Sequence, residues 1–156
     1  MVKQIDEYTY PLIFEHIGWE LMQAAEHWHA AFTAEMVGNG HVWYGEARGA
    51  VFRFIGPEGI RQSDIQDRLN ISKQAVQQLL DQLETEGVVM RVVDATDARS
   101  KRVFLGKQGF AAKQVANRAK IKIENSIRKK LGSKKFEELA ALLGQLNEKF
   151  KQKHRM

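Results

Sequence analysis

The sequence predicts a mainly α fold with one small β-hairpin. Three observations carry it: apolar residues recur at helical spacing towards both ends, a β-branched run interrupts that rhythm in the middle, and glycines punctuate the boundaries. The 156 residues are 44% hydrophobic and 28% charged, an ordinary globular balance that lets the chain bury a core without staples. There is no cysteine, which excludes disulfides, thiolate metal sites and cysteine redox chemistry and fits a reducing cytoplasm. The first residues, MVKQIDEYTY, are too charged for a secretory leader. No stretch approaches the roughly 18 apolar residues of a membrane span. The expectation is a soluble cytoplasmic protein with no membrane partner.

Tyr10, Phe14, Ile17, Leu21, Ala24, Ala25, Trp28 and Phe32 keep helical time, while Trp19, Met22 and Met36 fall off that stripe. A first helix from Tyr10 to Met36 with more than one buried face follows, and Gly38-Asn39-Gly40 stops it. Ala47, Val51, Phe54 and Ile55 mark a second helix, closed by Gly56-Pro57-Glu58-Gly59. Ile60–Leu69 reads as a short helix, with Ser63 and Gln66 as a capping box. Asn70-Ile71 is a tight connection, Ser72 caps a helix running to about Glu86, and Gly87 ends it. Two short helices joined this closely match the helix-turn-helix pattern.

Val88–Val93 is β-branched and Lys101–Leu105 reads as its return strand, with the polar tip Asp94–Ser100 between them. A hairpin after a helix-turn-helix is a wing. Beyond Gly106, Phe110, Val115, Ala119, Ile123, Ile127 and Leu131 form a helical stripe that Gly132 breaks. Ser133 then opens a last helix carrying Phe136, Leu139, Ala140, Leu143, Leu146 and Phe150, and Lys151–Met156 is expected to fray.

The fold class is therefore a winged helix-turn-helix plus a helical dimerisation bundle. Residues 41–106 are expected to form the DNA-binding region, and residues 1–37 with 107–156 the dimerisation region. A lone chain has little core for the outer helices to cover, so a second copy is expected to cover them with twofold symmetry. The charge pattern agrees. Residues 1–58 carry three basic and eight acidic side chains, 59–106 seven of each, and 107–156 fourteen and four. The basic C-terminal helices suit either nucleic acid or the acidic first helix, and their regular apolar stripe favours the helix.

On the helix opened by Ser72, Val76, Leu79, Leu80 and Leu83 point one way, and Gln74, Gln77, Gln78 and Asp81 the other. A glutamine amide offers one donor and one acceptor, which match adenine N6 and N7 in the major groove. Ser72 and Lys73 at the helix start suit a phosphate. On the wing, Arg99 and Lys101, with Arg102 beside them, suit the minor groove and backbone. Asp94 and Asp97 would repel phosphate, so they are expected to orient the arginines or to shape the turn.

These residues resemble the MarR family of winged-helix regulators. The resemblance rests on Gln62-Ser63-Asp64-Ile65 through Leu69, Ser72 to Val76, Leu79, Leu83-Glu84, Gly87-Val88, the wing pattern Asp94-x-x-Asp97-x-Arg99-x-Lys101, Leu105 and Gly109. It implies a homodimer, a pseudo-palindromic double-stranded DNA site and a small-molecule effector. It assigns DNA contact to Ser72, Lys73, Gln74, Gln77, Arg99 and Lys101, and wing support to Asp97. Gln78, kept as a contact from its place on the wheel, stands where the family commonly has arginine. Ala95 and Ala98 stand where proline and arginine are frequent, and Gly106 replaces a usual threonine.

Trp28, Trp43, Tyr44 and Arg48 are candidates for an effector pocket, the arginine meeting a carboxylate. No metal or cofactor is expected. His27 and His29 face different sides of a helix, and His16 is three turns from His27. No nucleophile–base pair or phosphate-binding glycine loop marks an enzyme. The expected function is a sequence-specific, ligand-responsive repressor acting as a homodimer. The alternative is a winged-helix module that binds protein instead of DNA.

Overall fold

The computed structural model describes residues 16–97 and 99–153. Tyr10 and Phe14, and the expected helix start there, lie outside them, as do Ala98 and residues 154–156. Two compact units divide the chain, residues 1–119 and 120–156. No helix among the described residues is long and apolar enough to cross a membrane.

In the first unit, helix α1 (Ile17–Gly38) starts at His16, whose Nδ1 accepts from the Trp19 N–H at 3.3 Å. It ends in a Schellman turn, with Gly40 N–H to Val37 O and His41 N–H to Met36 O, both 3.0 Å. Only Phe32 and Met36 are buried on α1, so Trp19 and Met22, expected on a second buried face, stand exposed. A short 3-10 helix, Val42–Gly45, leads into α2 (Ala47–Phe52). The helix expected to reach Ile55 stops early. Phe54 and Ile55 close tight turns onto Val51 O and Phe52 O, and Lys113 Nζ also donates to Phe52 O. Phe32 packs edge to face with Tyr44, and Tyr44 and Trp43 each pack edge to face with Phe52, the Trp43–Phe52 centroids 4.9 Å apart.

The short helix expected from Ile60 with a Ser63 cap is corrected by the structure. Ile60–Arg61 is a strand, β1, and α3 (Gln62–Leu69) begins straight out of it with Arg61 as N-cap and no side-chain cap. Asn70, in the left-handed conformation at φ 52° and ψ 47°, turns the chain into α4 (Lys73–Thr85). A second Schellman turn at Gly87 ends α4, with Val88 N–H to Leu83 O at 2.8 Å and Gly87 N–H to Glu84 O at 2.9 Å.

The wing strands are β2 (Val89–Val93) and β3 (Lys101–Leu105). The sheet has three antiparallel strands in the order β1-β3-β2, with Val103 opposite both Ile60 and Arg91. Its centre, Val103, is fully buried with Ile65, Val76, Leu80 and Leu83 from the helices.

Helix α5 (Lys107–Leu131) buries Ala119 and Ile123 of the expected stripe, but towards its start Ala112 and Ala116 are buried in place of Phe110 and Val115. Phe110 is 61% exposed. Close backbone approach explains the shift. A Cβ at Gly109 would lie 2.1 Å from Val88 O and one at Gly106 would lie 2.4 Å from Gly87 O, so only glycine permits these contacts.

In the second unit, Gly132 at φ +84° joins α5 to α6 (Ser133–Lys153). Arg128 pairs with Glu137 and lies 4.2 Å over the Phe136 ring. Leu139, Leu142, Leu143, Leu146 and Phe150 are all exposed.

Candidate nucleic-acid interface

α4 separates its faces cleanly. Ser72 Oγ accepts from the Ala75 N–H at 3.1 Å, satisfying one orphan donor at the helix start. Val76, Leu80 and Leu83 are fully buried and Leu79 is half-buried, whereas Gln74, Gln77, Gln78 and Asp81 are exposed. The polar face is therefore free to meet a ligand while the apolar face fixes the helix.

A groove of about 440 Å³ runs between the helices and the wing. Gln62, Ser63 and Gln66 of α3, Lys73 and Gln77 of α4, and Asp97, Arg99, Ser100 and Lys101 of the wing line it. Five of the expected residues thus meet in one place: Lys73, Gln77, Asp97, Arg99 and Lys101. Ser72, Gln74 and Gln78 lie on the exposed side of α4 outside that lining. The α3 residues were missed by sequence reasoning. Gln62 and Gln66 stand four apart on one helix face, and the same amide argument applied to α3 would have found them.

The wing is held from within. Asp94, 5% exposed, accepts from the Thr96 N–H (2.8 Å), the Thr96 hydroxyl (2.7 Å) and Arg61 Nε (3.0 Å). Those donors hold its carboxyl far below the usual carboxylate range, the Thr96 hydroxyl foremost. Arg102 reaches Asp94 at 3.6 Å and donates to Glu58 O at 2.8 Å, so Arg61 and Arg102 serve the wing root. Asp97 Oδ1 accepts the Arg99 N–H at 3.0 Å and shapes the tip. Among the described residues, Lys73, Arg99 and Lys101 make no ion pair. Lys73 and Arg99 therefore stand beside the groove open to phosphate, while Lys101 also feels the Glu84 carboxylate.

Two arginines anchor the far end of α4. Arg91 of β2 gives its N–H and Nε to Glu84, each at 3.0 Å, and also reaches Asp81 at 2.6 Å. The Arg91 guanidinium lowers the Glu84 pKa. Arg48 of α2 holds Glu46 at 2.6 Å and also pairs with Glu86, the C-cap of α4.

The expected effector residues are spread over different surroundings. Trp28 stacks on Phe32 with centroids 5.1 Å apart, Trp43 is buried in the aromatic cluster, and Arg48 is taken by carboxylates. Tyr44 alone of the four lines an open cavity of about 580 Å³ between α1 and α2, whose walls include His29, Thr33, Val37, Glu46 and Arg53. Burial raises the Tyr44 phenol pKa. Thr33 Oγ1 is buried there without a hydrogen-bond partner among the described residues. No group of three His, Cys, Asp or Glu is placed to hold a metal among the described residues.

No curated protein matches the chain by sequence. The MarR family model matches residues 47–100. Among solved structures, wild-type apo MarR from E. coli superposes with a TM-score of 0.69 at 18% identity, over 88% of this chain and 98% of that one. A MarR transcriptional regulator from Methanosarcina mazei gives 0.66 at 21% identity, over 87% and 96%. A mutant of S. aureus MepR, solved bound to an oligodeoxyribonucleotide, gives 0.54 at 19% identity, over 85% and 96%. At such identities the likeness establishes the fold, and the family match covers the segment from α2 to the wing. Residues 47–100 thus match the MarR family of transcriptional regulators, and the chain shares the fold of solved MarR regulators.

Proposed function

We propose that the protein is a sequence-specific double-stranded DNA-binding repressor that acts as a homodimer and releases DNA on binding a small molecule. The observation that carries the reading is the groove itself. It sets the amide of Gln77 beside three unpaired cations, Lys73, Arg99 and Lys101. That combination joins base-edge chemistry to phosphate chemistry on one surface. Ser72, Gln74 and Gln78 extend the contact along α4, and Asp97 supports the wing tip. The DNA-bound state of a fold neighbour supports the same reading.

For the dimer, the support is the uncovered apolar surface. Ile17, Trp19 and Met22 on α1 and five large apolar residues on α6, Leu142 at 63% among them, stand in water in a single chain. Residues 1–37 and 107–156 then form the dimerisation region, with 41–106 reading DNA at two half-sites about one helical turn apart. For the effector, the support is the cavity beside Tyr44 and Arg53 with its unpartnered Thr33 hydroxyl.

The test is a duplex selected from random sequence by the protein, titrated at several salt concentrations. The account expects affinity that falls steeply with salt and exceeds that for scrambled duplex by about a thousandfold or more. Equal, salt-insensitive binding to both would favour a winged-helix module that binds protein instead.

A further inference from the structure

The C-terminal end of α4 breaks a rule that helices ordinarily keep. A helix C-terminus carries partial negative charge and favours basic side chains. α4 has no basic residue in its last turn, and Asp81, Glu84 and the C-cap Glu86 crowd that end. The countercharges come from other elements: Arg91 of β2 takes Asp81 and Glu84, and Arg48 of α2 takes Glu86. A local conflict resolved only by distant partners is expected at functional positions.

Arg48 faces two ways. Its Nε and a terminal nitrogen hold Glu46 Oε2 at 2.8 and 2.6 Å, and its other terminal nitrogen holds Glu86. The side chain is only 14% exposed. Glu46 is at the same time a wall of the cavity that Tyr44 and Arg53 line. Its carbonyl accepts the Gly49 N–H at 3.0 Å. Gly49 lies so close to Tyr44 that an added Cβ would be 2.1 Å from the Tyr44 carbonyl oxygen. The backbone between Tyr44 and Gly49 therefore has little room to yield. The Glu46 carboxylate, by contrast, is held only through its side chain, by the Arg48 guanidinium.

We propose that Glu46, Arg48 and Glu86 form a charge relay that couples the cavity to the reading helix. Neutralising or displacing the Glu46 carboxylate from the cavity side frees one edge of Arg48, loosens its hold on Glu86 and weakens DNA binding. The inference rests on the reading of α4 as the DNA-contacting helix and of the cavity as the effector site, and it names the residues that link them.

The test needs no effector. Glu46→Gln neutralises the carboxylate with little change of shape, and DNA affinity is measured on the duplex selected by the wild-type protein. The relay predicts a loss of about three- to tenfold, in the range of couplings carried by contiguous networks. Simple long-range electrostatics predicts the opposite sign, because removing a negative charge strengthens attraction to phosphate. Amide exchange at Glu86, Gly87 and Val88 is expected to quicken in Glu46→Gln. Both effects are expected to vanish in an Arg48→Met background, where there is no relay left to break. Unchanged or tighter DNA binding with unchanged exchange would overturn the proposal. So would a loss of equal size in the Arg48→Met background. Should the wild-type protein select no duplex, the DNA-binding reading fails by itself and the exchange measurements alone decide the relay.

Discussion

α4 and α6 are both amphipathic helices, yet their apolar faces have opposite surroundings. Val76, Leu80 and Leu83 of α4 are fully buried, while Leu139, Leu142, Leu143, Leu146 and Phe150 of α6 all face solvent in the single chain. A helix whose apolar stripe is already covered has its polar face free for recognition. A helix whose stripe is bare presents that stripe as its binding surface. The comparison separates the proposed duties of the molecule: α4 meets DNA with amides, and α6 meets a second copy with leucines.

The largest expected effect sharpens that contrast. Leu83→Ala should cost about 2–5 kcal/mol of folding stability, because it leaves a cavity in a closed core. Leu146→Asp should leave the core around α4 intact and instead shift the protein towards monomer. Urea unfolding and sedimentation velocity read the two effects separately. Leu146→Asp with unchanged sedimentation would break the comparison and remove the proposed dimer face.

Arg99→Ala comes next. Arg99 lines the groove without an ion pair, so its loss should weaken binding to many duplexes by about 1–3 kcal/mol and make the salt dependence shallower. A folded variant with unchanged affinity and slope would mean that the wing does not touch DNA.

Much of this contrast was legible in the sequence, since α4 carries its apolar residues at regular spacing between a serine cap and a glycine stop. The wing strands were legible for the same reason, as a β-branched run with a polar tip. β1 was not, because the two residues Ile60 and Arg61 are too few to show a period and take their conformation from Val103 and Arg102 opposite. On α5 the pattern pointed to Phe110 and Val115, but the close approach at Gly109 brings Ala112 and Ala116 inward. Alanines weigh little in a hydrophobic pattern and much in a tight contact. The arginine ties were hidden too. Arg48 and Glu86 are 38 residues apart, and a distance in space of that kind has no local signature.

A smaller effect should appear in acid. Thr96 and Arg61 hold the folded Asp94 carboxyl below its unfolded value of about 3.9, so its contribution to wing stability is fully present above that value. The contribution is lost as pH falls below it, towards the depressed folded pKa. Relative to its intrinsic chemical rate, amide exchange in the wing is expected to quicken between about pH 4 and about pH 2 in the wild type. In Asp94→Asn it is expected to be faster already at neutral pH and to change less on acidification. A wild-type wing with flat acid dependence would show that the Asp94 contacts do not hold it.

The central claim is that the exposed amides of α4 read sequence, and Gln77 tests it most directly, standing in the groove beside Lys73 and Arg99. Gln77→Ala should be titrated on selected and on scrambled duplex at one salt concentration. The account predicts a loss of roughly 1–3 kcal/mol on the selected duplex. It predicts almost none on the scrambled one, because an amide releases no counterion. Equal losses on both duplexes, or none on either, would show that this face is solvated surface and that sequence is read elsewhere.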